Sequence, residues 1–124
     1  MVAVDTSSWI AFVQGKDGTD VEGLDRSLAS GNMAFPPVVL AEILSEPKLP
    51  AEQRSIVLRL PTIEVTEDYW IRAAATRAKV LTQGLRARLP DTLIAQSCID
   101  HDVALITRDL DFRHFAKHCG LTLV

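Results

Sequence analysis

Cysteine is scarce in this chain: the 124 residues hold only Cys98 and Cys119, in no C-x-x-C arrangement. Two such residues argue against a disulfide framework and read most simply as free thiols of an intracellular protein. Long apolar runs are missing too, since none approaches the roughly 18 residues of a membrane span. Only M-V-A-V precedes Asp5, so the basic and apolar regions of a secretory signal are absent, and the expected location is the cytoplasm. There is no glycine-rich phosphate loop, and no Ser or Cys in a recognisable triad setting. Nothing repeats, no segment is low-complexity and no linker divides the chain. A single domain over residues 1–124 is expected, large enough to bury about two thirds of its unfolded surface without disulfides or structural metal.

The positive charge expected of a nucleic-acid binder is also lacking, the formal net charge being -3. That average hides a split. Setting aside five of the 16 acids (Asp5, Glu42, Asp91, Asp109 and Asp111) leaves 11 against 13 Lys plus Arg. The segment from Tyr69 to Pro90 carries Arg72, Arg77, Lys79, Arg86 and Arg88 with no acid at all, so it can face phosphates or an acidic partner, or form a solvated face.

What is present is an alternation of short β-rich runs with helical patterns. The runs are V-A-V (2–4), M-A-F (33–35), T-I-E-V (62–65), V-A-L-I-T (103–107) and L-T-L-V (121–124). Strands separated by helices predict βαβ units on a parallel sheet. Val21, Leu24 and Leu28 recur at helical spacing and stop at Gly31, a natural C′ glycine. Pro36 and Pro37 end a strand and open the helix V-V-L-A-E-I-L. Between Glu67 and Gln83 the period predicts a helix with Trp70, Ala73, Ala74 and Leu81 on its apolar face and Arg72, Thr76 and Lys79 opposite. Arg77 falls on the apolar side, where it needs an acidic partner or a route to the surface.

Four carboxylates stand where charge is expensive: Asp5 after V-A-V, Glu42 within V-V-L-A-E-I-L, Asp91 opening P-D-T-L-I-A, and Asp109 after V-A-L-I-T-R. In an open parallel sheet, ligands bind beyond the carboxyl ends of the strands, and acids at those ends converge if the first and fourth strands are neighbours. Singly, Asp5, Asp91 and Asp109 can be read as helix caps, with Asp111 favoured by the same helix N-terminus. Glu42 escapes that explanation, because Val38, Val39, Leu40, Ala41, Ile43 and Leu44 leave almost no polar face on its helix and a solvated glutamate is not expected there. Jointly, the set points to a metal. Oxygen-only ligation suits Mg²⁺ or Mn²⁺ rather than zinc, and such ions carry phosphoryl chemistry. Thr6, Ser7 and Thr107 are placed to support the acids. His114 and His118 lie four residues apart beside Cys119, but no H-E-x-x-H accompanies them, and they are expected on a helix surface.

The motifs D-T-S-S-W-I, L-A-E-I-L, L-P-D-T-L-I-A-Q and I-T-R-D-L-D-F, in this order along nearly the whole chain, resemble those of the PIN-domain ribonucleases, and among them the VapC toxins of type II toxin–antitoxin pairs. The resemblance implies a three-layer α/β/α sandwich on a five-stranded parallel sheet. It implies that Asp5, Glu42, Asp91 and Asp109 form an acidic metal-binding quartet joined by Asp111, with Thr6 and Thr107 in supporting positions. It further implies Mg²⁺- or Mn²⁺-dependent endonucleolytic cleavage of RNA, a homodimer, and inhibition by a small antitoxin. Two alternatives are a PIN domain that processes or binds RNA without an antitoxin, and a receiver-type signalling domain. The latter needs a phosphoacceptor Asp ending the middle strand, which T-I-E-V-T-E-D does not provide.

Overall fold

A computed structural model describing residues 1–124 shows a three-stranded parallel sheet flanked by seven helices. The central strand is β1 (Val2–Val4), with β2 (Met33–Ala34) on one side and β3 (Ala104–Ile106) on the other. Val2 lies opposite Met33 and Ala104, Ala3 opposite Ala34 and Leu105, and Val4 opposite Ile106. Ala3 and Val4 are fully buried, as expected of a parallel strand covered on both faces. The chain leaves β1 through α1 (Thr6–Val13) and α2 (Thr19–Ala29) to reach β2. It then passes through α3 (Pro37–Leu44), α4 (Ala51–Arg59), α5 (Tyr69–Thr82) and α6 (Leu89–Asp100) before returning as β3 on the far side of β1. A 3₁₀ turn (Leu110–Phe112) and α7 (Arg113–Cys119) follow. The direction of winding thus reverses at β1, and the carboxyl ends of β1 and β3 border the crevice that this reversal opens.

Three strands form where the resemblance implies five. The two outer runs take the expected places but pair through single residues, Thr62 with Phe35 and Leu123 with Leu105, both parallel. Pro61 O accepts from Phe35 N and Phe35 O from Ile63 N, each at 2.9 Å. Thr62, Glu64 and Val65 are exposed, and a short edge carrying charge and flanked by proline does not extend its ladder.

The core gathers Phe35, Phe112, Phe115, Leu24, Met33, Ile94, Leu105, Val39, Val57 and Val80. Trp9 from α1 meets Phe35 edge-on at 5.1 Å, a favourable aromatic geometry. The proline pair acts as expected, Pro36 as N-cap and Pro37 as first residue of α3. Gly31 follows the C-cap of α2 with φ +68°, a left-handed conformation that glycine adopts without cost.

The face of α5 differs from expectation. Its buried residues are Tyr69, Ala73 and Val80, while Trp70 and Leu81 are 64% and 47% exposed and Ala74 is exposed as well. The helix carries two apolar stripes, and polar partners on α6 choose between them. Arg72 Nε and Nη2 donate to Asp100 Oδ1 and Oδ2 at 3.0 and 2.7 Å, Tyr69 OH donates to Leu93 O, and Thr76 Oγ1 bonds Gln96 Oε1. Arg77 finds a backbone carbonyl instead of an acid, with Nε 2.8 Å from Ala87 O.

Candidate metal centre

Asp5 ends β1 and its backbone N–H still donates to Ile106 O of β3 at 2.9 Å, so the sheet itself sets its position. It is 5% exposed and both carboxylate oxygens are used. Oδ1 accepts from Thr6 N at 2.8 Å, which makes Asp5 the N-cap of α1. Oδ2 accepts from Ser7 Oγ at 2.7 Å and from Thr107 Oγ1 at 2.9 Å. Asp5 therefore caps α1 and is tied through Thr107 to the segment after β3. Such saturation with donors fixes the orientation of the buried carboxylate.

Thr107 carries the link onward. Its Oγ1 also accepts from Asp109 N at 3.0 Å, and Asp109 Oδ1 accepts from Asp111 N at 2.9 Å, capping the 3₁₀ turn. On the other side Thr6 Oγ1 donates to Glu42 Oε1 at 2.8 Å. Glu42, Thr6, Asp5, Thr107, Asp109 and Asp111 thereby form one continuous hydrogen-bonded chain. Glu42 departs from expectation in being exposed. Val38, Leu40 and Leu44 are only half-buried and Ala41 is exposed, so α3 is less enclosed than its apolar sequence implies.

Asp91 sits in the first turn of α6, two residues beyond the first helical residue, and is not its cap; Arg88 holds that position without a side-chain bond. Carboxylate oxygens of Asp91, Asp109 and Asp111, all half-buried, lie within 4.8 Å of one another. The crowding has an electrostatic signature. Burial first, then the charges of Asp109, Asp5 and Asp111, push Asp91 up to about 6, while Arg88 opposes the rise. Three mutually repelling carboxylates at that separation form a hard, all-oxygen donor set of the kind that Mg²⁺ or Mn²⁺ occupies. Asp5 stands against this trio through its charge and through Thr107, and Glu42 adjoins Asp5 through Thr6. Thus Asp91, Asp109 and Asp111 come together as one ligand cluster, Asp5 adjoins it, and Glu42 lies at the end of the hydrogen-bonded chain. His114 and His118, half-buried on α7, lie outside the cluster.

A clamp behind the site joins two sequence motifs to Asp20, which lies outside all of them. Arg108, between Thr107 and Asp109, reaches back to the start of α2, with Nε 2.8 Å from Asp20 Oδ2 and Nη2 3.0 Å from Asp20 Oδ1. Nη2 also donates to Asp17 O at 3.1 Å, and Ser8 Oγ donates to Asp20 Oδ2 at 2.7 Å. The Arg108 hydrogen bonds hold Asp20 down at about 2 against the opposing effect of burial. Gly18 permits the approach: a Cβ there would lie 2.9 Å from Arg108 Nη2 and closer still to Asp20. The only hint in the sequence is an arginine between two site residues.

A groove of about 420 Å³ runs from Thr6 and Glu42 along Trp9, Ile10, Val13, Ile43 and Leu49. Trp9 Nε1, buried at its wall, has no hydrogen-bond partner. No helix is long and apolar enough to cross a membrane.

Comparison with known proteins bears on the fold. Among solved structures, VapBC2 from Rickettsia felis, bound to a DNA fragment from its promoter, superimposes with a TM-score of 0.76 at 20% identity, covering 100% of this chain and 98% of that one. VapBC-5 from Mycobacterium tuberculosis, a member of the VapBC family of toxin–antitoxin systems, gives 0.67 at 23% identity, covering 99% and 96%. A toxin–antitoxin complex from Klebsiella pneumoniae gives 0.69 at 20% identity, covering 98% and 96%. A search of curated proteins finds no match. At these identities the structural likeness establishes the fold alone. The family model for the PIN domain matches residues 2–118, which takes in β1, β3 and every acid of the site, and the chain belongs to the PIN-domain family.

Proposed function

We propose that the protein is a Mg²⁺- or Mn²⁺-dependent endoribonuclease that serves as the toxin of a toxin–antitoxin pair. The observation that carries the reading is the convergence of Asp91, Asp109 and Asp111 within 4.8 Å beside a fully hydrogen-bonded Asp5. When bound, a divalent ion supplies positive charge to phosphoryl oxygens and activates water for in-line attack. The protein's own residues do the positioning. Asp91, Asp109 and Asp111 would hold the ion, with Glu42 at the margin, while Thr6, Ser7 and Thr107 orient Asp5. A receiver-type domain is not favoured, because T-I-E-V pairs through one bridge only and no phosphoacceptor aspartate ends it.

Two partners belong to this reading. The groove beside Thr6 and Glu42 is apolar along its wall and acidic at its end, which suits an antitoxin segment bearing apolar side chains and one Arg or Lys. Relatives of the same fold are toxin–antitoxin assemblies. The uncovered stripe of Trp70, Ala74 and Leu81 on α5 supports a homodimer.

The test is incubation of purified protein with total RNA and Mg²⁺, with mapping of new ends, beside Asp5→Asn and Asp91→Asn. Defined cuts that vanish in both variants are expected. If wild type cuts nothing, or both variants cut as well as wild type, the ribonuclease assignment fails. Copurification with a small co-encoded protein tests the toxin assignment separately.

A further inference from the structure

The acid-free stretch before Pro90 does not act as one surface. Arg72 is committed to Asp100 and Arg77 to Ala87 O, so both serve the fold. Arg86 and Arg88 differ. Residues 85–88 lie in neither helix nor strand and their exposure alternates, with Leu85 half-buried, Arg86 exposed, Ala87 buried and Arg88, in extended conformation, exposed. In such a segment alternate side chains share one side, so both arginines project outward together. The backbone beneath them is held. Ala87 O takes the Arg77 hydrogen bond, and Arg88 O accepts from Thr92 N at 3.0 Å and Thr92 Oγ1 at 2.8 Å.

This pair frames the acid cluster. Arg86 Nη1 lies 4.0 Å from Asp111 Oδ2, with side chains 61% and 36% exposed. So long and wet an ion pair ties nothing down, and the guanidinium is free to change partner. Arg88 is the N-cap of α6 and stands three residues before Asp91 in its first turn. A polyanion nearing five carboxylates is repelled until cations meet it.

We propose that Arg86 and Arg88 are substrate-binding residues that grip the RNA phosphates flanking the scissile one, Arg86 exchanging Asp111 for a phosphate as the strand arrives. The inference rests on the ribonuclease reading. It assigns the planar, forked guanidinium groups to phosphate oxygens.

The test uses full-length protein carrying Asp5→Asn, which keeps RNA intact, with Arg86→Ala, Arg86→Lys, Arg88→Ala or both alanine changes added. Binding of labelled total transfer RNA is followed over a salt series, and Mn²⁺ affinity is measured without RNA. Each alanine change is expected to weaken RNA binding about fivefold and to reduce the slope of log affinity against log salt by about 0.7 to 0.9. Arg86→Lys should retain the slope, and Arg86→Ala should leave Mn²⁺ affinity equal or higher because a competing cation is gone. An unchanged slope in the double alanine protein overturns the proposal, as does lowered Mn²⁺ affinity in Arg86→Ala, which would make Arg86 a prop for Asp111. If the Asp5→Asn parent binds no RNA, the ribonuclease reading falls with it; parent binding with unaltered slopes sinks this inference alone.

Discussion

Asp91 carries a charge that the fold resists, and stability should show it. Its carboxyl is displaced from 3.8 to about 6, so between those values the folded protein holds a proton that the unfolded chain has released. Stability of the metal-free protein therefore falls as pH rises from about 4 to about 6 and is flat above. The full displacement is worth about 3 kcal/mol, and solvent screening at a half-buried carboxyl reduces it to roughly 1 kcal/mol. Asp91→Asn removes the repulsion. In EDTA the variant is expected to melt a few degrees above wild type at pH 7 and level with it at pH 4; an equal difference at both pH values would show that Asp91 is not crowded by charge. Mg²⁺ at pH 7 should raise the melting temperature of wild type more than that of the variant, and should lose its grip below pH 6 as protons compete for the carboxylate. The histidines supply a control at the same scale. His114→Ala combined with His118→Ala should leave cleavage near the wild-type rate, and its loss in a folded double variant would remove the carboxylate-only site.

Elements are joined here by polar ties as much as by apolar faces, and the clamp between the end of β3 and the start of α2 is the clearest. Asp20 is held at about 2, so its ionised form stabilises the fold above pH 3.8, and that contribution disappears as pH falls through about 2. Arg108→Ala should lower the melting temperature by several degrees at pH 7 and by much less near pH 2. Gly18→Ala should imitate it, since a Cβ at 18 pushes the same groups apart, and the two changes together should cost less than their sum. Full additivity in that cycle would mean that Gly18 serves some other purpose. A contrast comes from α5. Trp70→Ala is expected to change monomer stability by less than about 0.5 kcal/mol, whereas Val80→Ala, which opens a cavity, should cost on the order of 1–2 kcal/mol, both read from denaturant melts. The reverse ranking would place the apolar stripe of α5 back in the core.

Across the whole molecule, what could be read from the sequence depended on the range of the forces involved. Short apolar runs between turn residues located the three strands and the two outer segments that pair through single bridges, because strand identity is largely local. How far the outer two pair depends on neighbours, and T-I-E-V and L-T-L-V stop at one bridge each. Asp5, Asp91, Asp109 and Asp111 stood out because a carboxylate at a strand end or helix start is conspicuous among apolar residues. Glu42 was conspicuous for the wrong reason, its helix being more open than its composition implies. The orientation of α5 was illegible, since two stripes of similar hydrophobicity were decided by Asp100, Leu93 and Gln96 on another helix. Asp20 and Arg108 were missed because they stand 88 residues apart and neither is unusual alone.

The hydroxyl of Thr107 meets the carboxylate of Asp5 across a sequence separation of 102. Asp5 is made well before Thr107. During translation at about 5–20 residues per second, the N-terminal strand waits several seconds for the one that completes its surroundings. A nascent chain that has not reached β3 holds Asp5 and Asp91 but neither Asp109 nor Asp111, so the acidic cluster cannot assemble before β3 is made. The acidic cluster is thus completed only by the motif that follows β3, whose threonine also closes the set of donors around Asp5.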